Sequence, residues 1–185
     1  MPKANEIARG VYGAWRLAHL DTGGVAYFDQ TAEGFWKSFF AAAIVAPGYV
    51  ILVLISLAEQ GVEAGSLRIF LIHASAYAIG WTAYPLAIHH ICGVTGKRAE
   101  YIGFIVAFNW AQVIQMMVYL PVFILAAMDI LPALAIVIVY FVVLAYQWFV
   151  TRTMLGINAM NAIMLIVLDQ VISIVLSATA ESMIG

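Results

Sequence analysis

Charged residues are scarce in this sequence. Only 10% of its 185 residues are charged and 65% are hydrophobic, whereas a soluble domain carries about 25% charged residues. So few charges cannot cover a surface exposed to water, and they lie clustered between long apolar runs. The composition therefore excludes an ordinary soluble domain and places the chain among membrane proteins.

The chain also lacks a basic excess and a pair of cysteines. Its net charge of −2 argues against a nucleic-acid partner. The single cysteine, Cys92, excludes an intrachain disulfide and a cysteine-rich metal site. Residues 1–34 lack the short apolar core and small-residue cleavage site of a signal peptide, so we expect the first apolar segment to remain as a membrane span.

Five apolar stretches are long enough to cross about 30 Å of hydrocarbon as helices. They are 38–58, 67–91, 101–127, 130–150 and 159–179. Because their connections are short, neighbouring helices should run antiparallel in one bundle. The sequence thus predicts an all-α fold: a cytoplasmic segment at 1–34 with an amphipathic interfacial helix, then a domain of five transmembrane helices at 35–185.

The basic residues predict the orientation of these spans. With alternating topology, all but one of the eight Lys and Arg residues lie on one side. The exception is Arg68, beside Glu59 and Glu63. The positive-inside rule then places the N-terminus in the cytoplasm and the C-terminus outside. We expect six of the cations to contact lipid headgroups: Arg9, Arg16, Lys37, Lys97, Arg98 and Arg152.

The segment "ANEIARGVYGAWRLAHL" has the pattern of an amphipathic helix. Its apolar positions recur at helical spacing: Ile7, Val11, Trp15 and Ala18. Its basic side chains lie away from this stripe, which is typical of a helix lying flat on an anionic leaflet. A helix packed on the cytoplasmic face of this protein or of a partner is the alternative. "DTGG" should end the helix, and Thr31 should cap the next one.

Pro47 in the first span and Pro85 in the second are internal and should kink their helices. Such kinks either open a cavity or only shape the packing. Pro132 lies near the start of the fourth span, where proline is tolerated and Asp129 is a candidate cap.

Asp169 lies near the middle of the fifth apolar stretch. An ionised aspartate at the bilayer centre costs about 3 kcal/mol on insertion scales. Because no Lys or Arg is available at that depth, we expect Asp169 to stay a neutral acid that donates a hydrogen bond. Two roles stay open: a helix-to-helix or oligomer contact, or a carrier of protons or cations.

Further polar residues share helix faces with helical spacing of three and four. One stripe on the third span includes Asn109, Gln112 and Tyr119, and one on the fifth includes Asn161, Asp169, Ser173 and Ser177. We expect the third and fifth helices to face each other. The predicted intramembrane polar network contains Asp169, Gln112, Gln115, Asn109, Ser173, Asn161 and, nearer the outer face, His73.

Neither a metal nor a cofactor is expected. His89, His90 and Cys92 lie at the cytoplasmic end of the second span, but adjacent histidines on a helix point about 100° apart, and a metal site needs three or four converging ligands. His73 and His89 share one helix and cannot face each other across a haem. The sequence also carries no hydrolase or metalloprotease motif, so we predict no catalytic residues and no enzyme.

Three segments resemble the Yip1-domain family of small membrane proteins. They are "EGFWKSFF", "TGKRAEYIGFIVAFNWAQV" and "YQWFVTRTMLGINAMNAIMLIVL", and the resemblance covers 32–180. It implies five spans, a cytoplasmic N-terminus, and a non-enzymatic protein that works through partners, oligomers or bilayer shape. Compact loops and the lack of an organelle-retention signal favour the bacterial cell inner membrane, with the C-terminus in the periplasm.

Three functions follow as hypotheses. The first is a scaffold, interaction or accessory subunit, with the lipid bilayer and a second copy or another membrane protein as partners. The second is a small transporter or proton or ion channel that uses Asp169 and the polar stripe of the third span. The third is a redox or quinone-associated subunit using His73 or His89.

Overall fold

The computed structural model describes residues 1–61 and 67–184, and helices account for their regular structure. A short 3₁₀ helix at Thr22–Tyr27 separates the first two of seven α-helices in these ranges. The α-helices are α1 Ala4–Ala18, α2 Ala32–Ser38, α3 Phe40–Glu59, α4 Leu67–Val94, α5 Arg98–Ala127, α6 Leu134–Leu155 and α7 Ala159–Ile184. Within the described ranges no strand occurs, and the predicted all-α class is confirmed.

Four helical segments of the described chain are long and apolar enough to cross a membrane. They are Ala32–Glu59, Arg98–Ala127, Leu134–Leu155 and Ala159–Ile184, with mean hydropathies between 1.7 and 2.4. The predicted second span forms α4, which has 28 residues but is not among these four. Polar residues such as His73 and Thr82 dilute its apolar sequence. The structure thus shows a helical bundle with four apolar helical segments, as expected of a membrane protein. That α4 forms a fifth span stays a prediction.

The outward faces of the long helices are apolar. Phe141 on α6 and Ile174 on α7 are 63% and 64% exposed, and Leu54 on α3 is also exposed. A large contiguous apolar surface is rare on a soluble monomer. Hydrocarbon is the solvent in which these faces carry no cost.

The long helices alternate in direction, so the bundle has two distinct ends. At the α1 end, α3, α5 and α7 begin and α4 and α6 finish, and α1 packs there against α5 and α6. At the far end, α4 and α6 begin; there the Arg68 guanidinium donates a hydrogen bond to the carbonyl of Met183, 2.7 Å away. Glu63, the other acid expected near Arg68, lies outside the described residues.

Helix α5 is the central helix, in contact with α1, α2, α3, α4 and α6. Helix α7 instead packs mainly on α4 and α6. The expectation that the third and fifth spans face each other is therefore wrong as a direct contact. Helix α6 packs extensively against α5 and also against α7. It therefore lies next to both of the helices that carry the predicted polar stripes.

The tightly packed core lies in the α1 half of the bundle. Tyr84, Phe104 and Ile88 are almost fully buried, together with Leu155 of α6 and Leu17 of α1. The Tyr84 ring lies 4.7 Å from the Phe108 ring, centroid to centroid. These contacts join α1, α4, α5 and α6 where the turn between α4 and α5 also holds them close.

Helix α1 packs on the bundle through Gly10, Ala14 and Leu17, together with Ile7, Val11 and Ala18, three of the four residues of the predicted apolar stripe. Gly10 lies so close to the Trp110 indole that a Cβ atom there would come within 2.5 Å of the ring. The Tyr146 hydroxyl donates to the carbonyl of Ala14 at 2.9 Å. Trp15 and Tyr12 are about half exposed, at 51% and 49%. The structure thus has α1 seated on this protein, with its aromatic side turned outward.

The helix ends match the sequence in part. The Thr31 hydroxyl accepts a hydrogen bond from the Gly34 amide at 3.1 Å, which confirms the predicted cap. Helix α1 ends at Ala18, before "DTGG", and Leu20 takes a left-handed φ of 60°. Asp129 does not cap the fourth span, because that helix begins only at Leu134 and has no side-chain cap.

Candidate functional site: a polar cavity between five helices

A cavity of about 730 Å³ lies between α3, α4, α5, α6 and α7. Its lining extends to Gln60, just past the end of α3, and on α7 from Asp169 to Ile184, so it occupies the half of the bundle away from α1. Gln60 and Glu181 are exposed, which places the mouth at the far end. The floor lies where Phe108 and Asn109 meet the packed core.

Six of the seven residues predicted for the intramembrane polar network line this cavity. They are Asp169, Gln112, Gln115, Asn109, Ser173 and His73. Asn161 does not, because it lies in the first turn of α7, is exposed, and donates its backbone N–H to the Asn158 side chain at 2.8 Å. The two polar stripes therefore converge on a shared space, although α5 and α7 do not bond to each other through them.

Asp169 has its hydrogen-bond partner on α6. Gln147 is 2% exposed, and its side-chain N–H donates to Oδ2 of Asp169 at 2.7 Å. The Gln170 amide lies at 3.5 Å from the same oxygen. The other carboxylate oxygen, Oδ1, has no hydrogen bond among the described residues. One side of the acid is thus fixed, and the other is available on the cavity side.

Gln147 is a site residue that the sequence reasoning missed, as are the aromatic residues that α3 and α4 contribute to the cavity wall. The fourth span was predicted to end at 150, which placed Gln147 beside Trp148 near the membrane interface. The helix continues to Leu155, and Gln147 therefore lies more than a turn deeper. The position of Arg152 could have shown this from the sequence, because the basic residue lies nearer the true helix end and Gln147 precedes it by more than one helical turn.

Several buried polar atoms on the wall have no hydrogen-bond partner among the described residues. They include Oδ1 of Asn109, Nε2 of Gln115 and Nε2 of His73. Asn109 and Gln115 are 1% and 8% exposed. The Asn109 amide N–H does have a partner, the Ser38 hydroxyl at 2.8 Å. Buried polar groups are nearly always paired, so unpaired ones that converge on one cavity indicate a binding site.

Aromatic side chains cover much of the remaining wall. On the α3–α4 side, the Tyr49 and Tyr77 rings lie 4.6 Å apart, and Trp81 follows 6.1 Å from Tyr77. The Tyr77 hydroxyl donates to the Ala42 carbonyl at 2.7 Å and joins α4 to α3. On the α6 side, the Tyr140 hydroxyl donates to the Gln170 side chain at 2.6 Å. These bonds hold the rings in place around the polar floor.

Pro85 also lines the cavity, whereas Pro47 does not. Both prolines lie inside helices that continue through them, α4 and α3. The Tyr101 hydroxyl donates to the Pro85 carbonyl at 3.2 Å. Pro85 thus contributes to the boundary between the cavity and the packed half.

The cations expected at lipid headgroups mostly have partners within the chain. Lys37 contacts Glu6 at 2.7 Å and Glu33 at 2.6 Å, and Lys97 contacts Glu100 at 3.3 Å. Arg16 bonds Asp21, and the Arg152 guanidinium lies over the Trp148 ring. The remaining two predicted headgroup residues, Arg9 and Arg98, are exposed. Headgroup contact stays a prediction for all six.

The Arg16–Asp21 pair fixes the turn after α1. Nε of Arg16 donates to Oδ2 of Asp21 at 2.6 Å, and the Gly23 amide donates to Oδ1 at 2.8 Å. The Arg16 guanidinium, followed by the Gly23 N–H, holds the pKa of Asp21 below its ordinary value. This electrostatic contact ties the 3₁₀ helix to α1.

A second, smaller cavity lies at the α1 end. It measures about 310 Å³ and includes His89, Cys92 and Arg98 in its lining. Among the residues described, no group of three or more His, Cys, Asp or Glu side chains is arranged to hold a metal ion. His73 and His89 lie on the same helix, α4, as the sequence indicates.

The chain matches no protein-family model, no curated protein and no solved structure. The resemblance to the Yip1-domain family therefore stays a prediction.

Proposed function

We propose that this chain is a small transporter of the bacterial cell inner membrane that conducts protons by way of Asp169, and that a solute enters the central cavity and meets the same residue. This is the second of the three hypotheses from the sequence, and it involves no catalysis. The observation that carries it is the cavity of about 730 Å³ with Asp169 and unpaired polar atoms on its wall. Ligand pockets commonly measure about 300–1,000 Å³.

The composition of α4 supports five spans. His73, Tyr77 and Trp81 of this helix all line the cavity. A span that turns one face to a polar cavity carries more polar side chains than a span surrounded by lipid. The lower hydropathy of α4 is thus the expected property of a cavity-lining span. With five spans and the positive-inside orientation, the mouth faces the periplasm and α1 lies at the cytoplasmic surface.

The packed half of the bundle acts as the cytoplasmic gate in this proposal. Tyr84, Phe104 and Leu17 fill the space between the cavity floor and α1. Alternating access requires one seal to open as another forms. Here the seal is made by α1 and the ends of α4 and α6, so their movement would expose Asp169 to the cytoplasm.

A scaffold, the first hypothesis, needs none of these features. An interaction protein gains nothing from a cavity lined by buried, unpaired amide atoms such as Oδ1 of Asn109 and Nε2 of Gln115, because leaving a buried polar group unpaired costs free energy. The scaffold function, with a second copy or another membrane protein as partner, stays a prediction. Nothing in the arrangement of His73 and His89 on a single helix favours the redox hypothesis.

Proton flux into proteoliposomes tests the transporter proposal. Purified protein is reconstituted, a membrane potential is imposed, and an internal pH-sensitive dye is followed. We expect flux from the wild type and its loss in Asp169→Asn, which keeps the size of the side chain but cannot release a proton. Asp129→Asn is the matched control, because Asp129 lies in the turn between α5 and α6 and should retain flux. Proton-tight liposomes with the wild type would reject the proposal.

A further inference from the structure

We infer that the solute is an organic cation, such as a protonated amine, held by the Asp169 carboxylate and the aromatic wall. The inference rests on the proposed function, since it names the class of solute that enters the same cavity. Four features of the cavity support it: its charge, its aromatic lining, its free acceptor atoms and its size.

The charge of the lining is acidic. Asp169 lies deep in the cavity and Glu181 lies at the mouth, whereas no Lys or Arg belongs to the lining among the described residues. His73 also belongs to the lining. Asp169 is expected to be a neutral acid as long as no countercharge is near, and no Lys or Arg of the described lining supplies one. A cationic solute supplies it.

The aromatic lining suits the same class. Tyr49, Tyr77 and Trp81 form one continuous row of rings, with successive centroids 4.6 and 6.1 Å apart. Tyr119 and Tyr140 line the cavity from α5 and α6. Ring faces attract ammonium groups, and the attraction grows when the cation is desolvated. Rings also contact the apolar part of an amine, which a bare ion does not have.

The free acceptors lie in the deeper part of the cavity lining. Oδ2 of Asp169 is held by Gln147, which orients the carboxylate and leaves Oδ1 unbonded. Oδ1 of Asn109 is a second acceptor without a partner among the described residues. An ammonium group donates up to three hydrogen bonds and accepts none, so it suits a site with free acceptors, and it adds the positive charge that a neutral donor lacks.

The size of the cavity suits an occupant larger than a bare metal ion. A volume of about 730 Å³ suits a molecule of many heavy atoms. Nor does the described part of the chain bring together three metal-binding side chains of the His, Cys, Asp or Glu type. The ligand class that fits charge, rings, acceptors and volume together is an amine with an apolar body.

Equilibrium dialysis tests the inference with three soluble probes of similar shape. Benzylammonium is cationic at neutral pH, benzyl alcohol is neutral, and benzoate is anionic. The full chain is placed in lipid nanodiscs, and empty nanodiscs measure partitioning into lipid. We expect benzylammonium to bind at least roughly tenfold more tightly than benzyl alcohol, and benzoate not to bind.

Two variants connect the preference to the carboxylate. Asp169→Asn should weaken benzylammonium by roughly tenfold or more and leave benzyl alcohol unchanged, because the charged contact alone is lost. Asp129→Asn should bind all three probes as the wild type does. Equal binding of the cation and the alcohol, an effect of Asp169→Asn on both probes alike, or no benzylammonium binding would each overturn the inference.

The proton-flux assay separates this inference from the proposed function. Flux that depends on Asp169, together with no preference for benzylammonium, would retain the transporter and reject the organic cation. Benzylammonium binding without flux would retain the cation site and reject transport.

Discussion

The two halves of this bundle are built from the same helices but differ in how tightly those helices pack. In the α1 half, large side chains such as Tyr84, Phe104 and Ile88 are almost fully buried against one another. In the far half, the same helices diverge around a cavity of about 730 Å³ whose wall carries an acid and unpaired amide atoms. The packed half stabilises the fold, and the far half can therefore contain a polar cavity.

The contrast extends to polar groups. Ser38 and Asn109 mark the boundary: the Asn109 N–H is satisfied by Ser38 on the packed side, while Oδ1 has no described partner. Thr151 on the packed side donates to the Gln147 carbonyl at 2.8 Å. Ser38 and Thr151 thus serve the structure of the packed half, where the buried Tyr84 hydroxyl also has no described partner. In the far half, Gln147 bonds Asp169, and Nε2 of Gln115 has no described partner.

The largest expected effect comes from a pair of phenylalanines on α5. Phe104→Ala should lower the free energy of unfolding by about 3–5 kcal/mol, because Phe104 is fully buried and its loss leaves a void. Phe123→Ala should cost about 1 kcal/mol or less, since Phe123 is only partly buried and lines the cavity. Denaturant unfolding in detergent micelles measures both, and similar losses would remove the distinction between the halves.

A smaller effect is expected from two helical glycines. Gly10→Ala should destabilise the protein by about 1–3 kcal/mol, because the new Cβ would meet the Trp110 ring at 2.5 Å. Gly80→Ala is the matched control on α4. Its Cβ would meet Leu176 at an ordinary 3.7 Å, so lower backbone entropy should leave the protein unchanged or slightly more stable.

Limited proteolysis measures the local part of the glycine prediction. Displacement of α1 should make residues 1–28 more susceptible in Gly10→Ala than in Gly80→Ala. Equal susceptibility of the two variants would show that α1 is not held by its contact with Trp110.

The smallest effect concerns acid at the α1 end. The folded pKa of Asp21 lies below its ordinary value of 3.8 because of Arg16 and the Gly23 N–H. The contribution of the pair is therefore present above that value and is lost as pH falls through the lowered folded pKa. Proteolysis of the turn after α1 by an acid-active protease should increase over this range. Asp21→Asn should show no such increase, and a wild type insensitive to this change would contradict the role of the pair.

The sequence predicted the positions of the long helices closely, as particular elements show. The second apolar stretch was expected at 67–91 and forms Leu67–Val94, and the third was expected at 101–127 and forms Arg98–Ala127. The fourth was displaced, from 130–150 to Leu134–Leu155. Hydropathy does not mark the helix end, because "TRTML" continues the helix past the apolar run. The end of the fourth span was therefore placed too early, and Gln147 was taken for an interfacial residue.

The candidate site was predictable as a set of residues but not as an arrangement. Helical spacing grouped Asn109 and Gln112 on one face and Asp169 and Ser173 on another. It could not show that α6 packs beside both faces, or that Gln147 and not a residue of α5 would bond Asp169. Nor could it show that Gly10 meets the Trp110 ring while Trp15, a member of the predicted apolar stripe, is half exposed.

The amino-acid sequence by itself determined the membrane class, the all-α fold and the approximate helix ends. Each of these depends on local composition and on the need of every backbone group in hydrocarbon to bond within its own helix. Only the tertiary structure decided which helices meet, where the cavity lies and which partner Asp169 has. Lipid and protein interior are equally apolar, so hydropathy does not mark the contact faces, and small residues, side-chain shape and hydrogen bonds select them.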